Sequence, residues 1–277
     1  MKIQHLNTIK KAMVKYYNSL NINTVSLEFI QEPLLNQNSK LLKVDKTKKK
    51  DKSIVNEISH IHGLELVPAK LLDQGVDFCA GSGSCLLNCL FFSGIQNILK
   101  SNTLIKGELT PVIKKRIRRT FLFLRDQSLF YKILTQNINA KNDLAVLMGQ
   151  KNSFAIRLNV MSDIDFTPYI DSMPHIQFMD YSKVWNRSKP KNYDVTYSSS
   201  ELVTDRQIIN KLKQGNNVAM VFKKGTAPKT WKGFPCISGD LSDDRVNDIK
   251  GCILVLDLKT TVKAEKIETA FINRGIK

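Results

Sequence analysis

The chain has 277 residues, 42% of them hydrophobic and 24% charged. That suits a globular protein with a substantial core and excludes fibrous and low-complexity classes. The net charge of +17 comes from 42 Lys and Arg against 25 Asp and Glu; it favours an anionic partner, most commonly nucleic acid, unless the lysines only record an AT-rich genome.

The start MKIQHLNTIKK is basic but lacks the apolar stretch of a secretory signal, and no run is apolar enough to span a membrane. An intracellular protein without a membrane partner is expected. Residues 1–69 read as a helical and basic N-terminal region. Ile9, Met13, Tyr16 and Tyr17 recur at helical spacing. The run 36–53, NQNSKLLKVDKTKKKDKS, reads as a basic loop, either solvated or touching phosphate. His60 and His62 would point the same way from a strand, as surface histidines or as metal ligands.

Residues 70–277 read as an α/β domain. Near its start, VDFCAGSGSCLLNC (76–89) carries two signals at once. Its glycines resemble the cofactor loop of a methyltransferase, in which glycine lets the backbone approach a nucleotide-like group. Against that, Asp73, Gln74 and Gly75 interrupt the preceding strand, and the chain has no Pro-Pro for an amino-methylating motif. Its cysteines, Cys79, Cys85 and Cys89, are spaced C-x5-C-x3-C. A helix beginning there would put Cys85 and Cys89 on one face, with Gly81 and Gly83 letting Cys79 join them. Three thiolates suit a metal centre. Structural zinc wants a fourth ligand, for which Cys236, Cys252, His60 and His62 are candidates; otherwise the fourth position stays open for chemistry. The plainer alternative is three buried, unligated cysteines.

Residues 86–100 read as an apolar helix flawed by Gly94, and 111–138 as a longer one with Pro111 in its first turn. The longer helix carries Arg116, Arg118 and Arg119 among Ile117, Phe121 and Leu122. It is either a surface helix packed on a sheet or a cationic rim beside an anionic substrate. Beyond 150, short apolar runs at 154–160, 176–179, 194–197, 217–222 and 252–258 alternate with segments such as the helical 205–214. That pattern argues βα units and a parallel sheet. Polar residues follow the runs: Asn159 and Asp163, then Asp180, Tyr181 and Lys183, then Ser198–Glu201. Strand C-terminal ends face the site in such folds. The stretch GDLSDDR (239–245) is dense in carboxylates, fit for a divalent cation or, more simply, a polar turn.

Six segments together resemble a phage and plasmid family known as gene product 88: FCAGSGSCLLNCLFFSG (78–94), IRLNVMSDIDF (156–166), IQFMDYSKVWNR (176–187), NYDVTYSSSE (192–201), NVAMVF (217–222) and CISGDLSDDRVND (236–248). That family in turn resembles radical S-adenosylmethionine proteins, which have a partial (β/α) barrel and a three-cysteine loop after the first strand.

The resemblance implies a [4Fe–4S] cluster on Cys79, Cys85 and Cys89, and S-adenosylmethionine beside Ser162 and Asp163. Gly81 and Gly83 fall on the same cofactor side. It puts Asp180 and Lys183 among the candidate catalytic groups, and Ser198 and Glu201 toward the substrate; the basic face of the long helix adds Arg116, Arg118 and Arg119 as candidate contacts to an anionic substrate. The usual spacing in such proteins is C-x3-C-x2-C with an aromatic before the third cysteine; here Asn88 stands there. The expectation is a partial or irregular parallel barrel with an α-rich N-terminal region. Its function is expected to be a phage-encoded iron–sulfur enzyme in the host cytoplasm, acting on a nucleic acid, nucleotide or other anionic substrate. The alternatives are a zinc-stabilised nucleic-acid-binding protein and a methyltransferase using DFCAGSGS.

Overall fold

A computed structural model of the chain describes residues 3–37, 60–68, 70–89, 91, 108–258 and 272. The basic run beyond Gln37 and the span 92–107, with Gly94, lie outside the described residues. Among the described residues no helix is long and apolar enough to cross a membrane.

The chain opens on two helices, α1 (Ile3–Asn18) and α2 (Ile22–Gln31). They bury Ile9, Met13, Tyr17, Val25 and Phe29. Asn21 caps α2 by accepting from the Asn23 and Thr24 amides, which satisfies donors that the first turn leaves without partners. Strands β1 (Leu35–Gln37) and β2 (His60–Leu64) follow and pair antiparallel. The cysteine segment comes next, then α3 (Pro111–Arg125) and α4 (Gln127–Leu147). The helix expected over 111–138 is therefore two. Asp126 ends the first with extended-side backbone, φ −147° and ψ 81°, and its carboxylate starts the second by accepting from Leu129 N–H.

The remaining chain alternates as expected: β3 (Phe154–Arg157), α5 (Thr167–Asp171), β4 (Phe178–Ser182), β5 (Tyr193–Ser198), α6 (Asp205–Lys213) and β6 (Val218–Phe222). A short hairpin of β7 (Thr230–Trp231) and β8 (Phe234–Ser238) precedes β9 (Ile253–Asp257). The nine strands among the described residues join one sheet in the order β1-β2-β3-β4-β5-β6-β9-β8-β7. Every pairing from β2 to β8 along that order is parallel; the flanking pairs are antiparallel. The fold is thus α/β, with a mostly parallel sheet and six α-helices among the described residues.

Strand alternation sorts the sheet's two faces. Phe154, Ile156 and Phe178 join the large core that also holds Ile117 and Phe121 of α3 with Phe130 and Leu134 of α4. Ile61, Ala155 and Met179 form a smaller cluster, with Val246 packed against it. Because β2 to β6 run parallel, their C-terminal ends fall along one edge, and the site lies there.

Candidate functional site

Three successive turns carry the cysteines. Ser82 N–H donates to Cys79 O at 3.1 Å, Cys85 N–H to Ser82 O at 2.9 Å, and Cys89 N–H to Leu86 O at 3.3 Å. The middle of this run is a 3-10 helix, Gly83–Asn88, rather than the start of an α-helix. Three residues per turn would carry a cysteine four positions on off the shared face. Cys89 leaves the helix with extended backbone, ψ 133°, and Cys79, Cys85 and Cys89 line one cavity of about 350 Å³.

The glycines answer to packing. Gly81 and Gly83 have φ of +72° and +48°, backbone that favours glycine. A Cβ on Gly83 would run into the Glu201 carboxylate, and one on Gly81 would only reach ordinary contact with Lys183. Glu201 Oε1 accepts from Ser84 N–H at 2.5 Å, so the chain after β5 clasps the cysteine turn directly.

Strand ends supply the other walls. Asn159, Ser162 and Asp163 come from the chain after β3, Tyr181 and Lys183 from β4 and its exit, and Ser198 and Ser199 from the end of β5. Phe78 O accepts from Asp163 N–H at 2.7 Å, joining the cysteine segment to the β3 exit. The Asp163 carboxylate accepts from Ser182 Oγ at 2.8 Å and Lys183 N–H at 2.6 Å, and pairs with Arg187 at 2.7 Å. Both side chains of that ion pair are almost wholly buried; such a pair fixes geometry, since removing one partner strands a buried charge. Ser162 Oγ donates to Asn159 Oδ1 at 2.9 Å.

Electrostatics single out the thiols. Burial pushes Cys79 up to about 12 and Cys89 up to about 11, the neighbouring cysteines adding to it and Lys183 opposing. Burial alone would lower Lys183, yet the attraction of the three cysteines and Asp163 holds it above its ordinary value. Unligated, Cys79 and Cys89 are neutral at pH 7. They become good ligands when a cationic centre takes up the thiolate charge.

The two expected metal centres make different demands on this donor set. Among the described residues no three His, Cys, Asp or Glu side chains are grouped to hold one metal ion. Neither Cys236, Cys252, His60 nor His62 lines the cavity. His62 lies on β2, tilted against Phe154 at 5.8 Å between centroids, and Cys252 Sγ donates to Ile249 O. None of the four candidates expected to complete a zinc site is therefore on this wall. A cluster spreads its thiolates over separate irons, which suits three thiols on one cavity but not on one ion.

The other expected residues divide. Ser198 lines this cavity; Gly81, Gly83 and Glu201 do not, Gly81 lying against Lys183, which does, and Gly83 and Ser84 against Glu201. Asp180 does not line it: the residue is 1% exposed, and its Oδ1 accepts from Asn159 N–H at 2.9 Å. The arginines of α3 lie elsewhere. Arg116 is fully buried on Glu65 at 2.8 Å, Arg119 is buried with Asn36 at 2.8 Å, and Arg118 pairs with Glu28 at 2.6 Å. The carboxylates of 239–245 split too. Asp244 builds the expected polar turn, accepting from Val246 N–H at 2.9 Å and Asn247 N–H at 3.3 Å, while Asp240 and Asp243 reach the cavity. Arg157 and Asp257, which sequence reading passed over, also line it; their place at the ends of two apolar runs was the available signal.

A family model described as gene product 88 matches residues 33–275. No curated protein and no solved structure matches the chain.

Proposed function

The chain belongs to the gene product 88 family, a phage-like family, and from that premise we propose that it is an iron–sulfur enzyme of the radical S-adenosylmethionine type. One observation carries the reading: three cysteines of a single segment, 79–89, line one cavity at the C-terminal ends of parallel strands. Strands β2 to β6 follow chain order in the sheet, the arrangement a partial (β/α) barrel requires, and the cysteines come after its first parallel strand, β2.

Cys79, Cys85 and Cys89 would hold a [4Fe–4S] cluster, and three protein thiolates leave one iron for the cofactor. Bound there in its reduced form, the cluster would supply the electron for reductive cleavage of S-adenosylmethionine to a carbon radical. Lys183 offsets the negative charge of the thiolates. Asn159, Ser162 and Ser198 offer polar atoms to a cofactor in the cavity, and the Asp163–Arg187 pair fixes the wall from which they project. The glycines support this reading more than a methyltransferase loop, because their freedom is used in seating the cysteine turn on Lys183 and Glu201.

Anaerobic purification followed by iron and sulfide reconstitution tests the proposal. The expected product is brown, holds several irons and sulfides per chain, and yields 5′-deoxyadenosine from S-adenosylmethionine under reduction. Cys79→Ala, Cys85→Ala and Cys89→Ala should each lose the colour. A colourless protein with one zinc favours the nucleic-acid-binding alternative, and full metal content in Cys85→Ala would sink both. Cofactor binding that persists after all metal is stripped favours the methyltransferase.

A further inference from the structure

A second pocket lies at the opposite edge of the sheet, where the parallel strands begin. It holds about 140 Å³ beside the starts of β5 and β6. Its walls come from Lys189 before β5, Asp194 and Thr196 on β5, the turn 215–217 before β6, and Arg245 and Lys250 before β9. None of these residues lines the cysteine cavity. Asp194 and Thr196 project from one face of β5, since side chains alternate along a strand.

The charges of this pocket can be followed one by one. Lys250 Nζ sits 2.9 Å from Asp194 Oδ1, and Asp194 Oδ2 accepts from Gln177 Nε2 at 3.2 Å. Arg245 Nη1 lies 3.0 Å from Asp248 Oδ2, and its Nη2 donates to Ser242 O. Lys189 pairs with no carboxylate among the described residues; its ammonium donates to the neutral Asn216 Oδ1 at 2.8 Å. Three cations against two carboxylates leave one positive charge over. Burial holds Lys189 below its ordinary value, with Asp194 opposing and Lys250 and Lys211 adding to it. A second, independent feature points to an occupant. Arg245 is 3% exposed, yet its buried Nε has no hydrogen-bond partner. A buried donor without an acceptor is costly and rare. Thr196, equally buried, brings a hydroxyl to the same wall.

We propose that this pocket binds a small tetrahedral oxyanion of the inorganic phosphate type, through the Lys189 ammonium, Arg245 Nε and the Thr196 hydroxyl. Such an ion answers the excess positive charge and accepts hydrogen bonds from several directions at once. About 140 Å³ admits it, whereas pockets for larger organic ligands start near ~300 Å³. The site stands apart from the enzyme reading above and does not depend on it. A nucleic acid drawn by the overall charge is the rival occupant, and the test separates the two.

Inorganic phosphate is titrated into the full chain by calorimetry, with sodium chloride adjusted to hold ionic strength constant, because screening alone acts on so cationic a protein. Binding should saturate at one ion per chain. Lys189 is exposed, so Lys189→Gln leaves the core alone; affinity should fall about tenfold, the loss of one charge-assisted hydrogen bond. Thr196→Val keeps the shape without the hydroxyl and should weaken binding roughly fivefold, while Thr196→Ser should bind like the parent. Lys224 is an exposed lysine just past the far end of β6. Lys224→Gln removes the same charge away from the pocket and should bind like the parent. No saturable binding, parent-like affinity in Lys189→Gln or in a folded Thr196→Val, or an equal loss in Lys224→Gln overturns the proposal. If Thr196→Val does not fold, Lys189→Gln and its Lys224 control decide alone. Competitive displacement of phosphate by a short single-stranded DNA also overturns it, in favour of a nucleic-acid surface.

Discussion

Two buried aspartates, Asp163 and Asp180, show how little a residue's type says about its task. Asp163 is met by Arg187, Ser182 and the Lys183 amide. Asp180 has only dipolar contacts at its oxygens, from Asn159 N–H and, at 3.3 Å, the Tyr193 hydroxyl. Burial pushes Asp180 up from 3.8 to about 7, with Arg157 pulling the other way. Its folded-state value is raised, so between those limits the folded protein holds more protons than the unfolded one. Stability from this group is therefore full below about pH 4 and is lost as pH rises toward 7. Asp180→Asn keeps the shape and an acceptor for Asn159 without the charge. Thermal midpoints of parent and variant should agree near pH 4 and diverge toward pH 8, the variant being the more stable by up to ~4 kcal/mol. Parallel curves across that range would show that the burial effect is not felt. The polar residues after the apolar runs could all be read from sequence as site candidates. Which line the cavity and which are sealed beneath it could not, because that depends on which way each strand exit turns.

Elements were legible where local chemistry decides them. The apolar runs at 154–160, 217–222 and 252–258 each contain a strand, those at 176–179 and 194–197 overlap β4 and β5, and 205–214 contains α6. That helix has a capping box, Thr204 and Gln207 bonding reciprocally. Strands β1, β7 and β8 escaped notice because they are short or polar: the exposed and half-buried residues of β8, Phe234–Ser238, show no alternating pattern. The break between α3 and α4 was missed because apolar periodicity runs through it, whereas Asp126 stops one helix and caps the next. Asp126→Ala should cost about 1 kcal/mol through loss of the cap, read as a lower urea midpoint with an unchanged slope. An unchanged midpoint would mean that packing alone sets the corner.

At the scale of the whole molecule, charge is the dominant feature. A net +17 implies self-repulsion in the folded state, which salt screens. The thermal midpoint should rise by roughly a few degrees between ~10 mM and ~200 mM salt; a flat or falling midpoint would indicate that local pairs such as Lys115–Glu32 and Lys250–Asp194 already balance the field. Sequence determined the α/β class, the helical start, the order of the parallel strands' apolar runs and the grouping of three cysteines, since these rest on composition, periodicity and spacing along the chain. Tertiary structure alone decided what the charges do. It turned Arg116 and Arg119 inward onto Glu65 and Asn36, and it brought Asp240, Asp243 and Asp257 from the β8 and β9 exits to the cavity that the cysteines share. Those groups are far apart in the chain, and only the sheet order, with β9 inserted between β6 and β8, makes them neighbours. Which charged side chains fold inward is decided by that order, and no count of residues contains it.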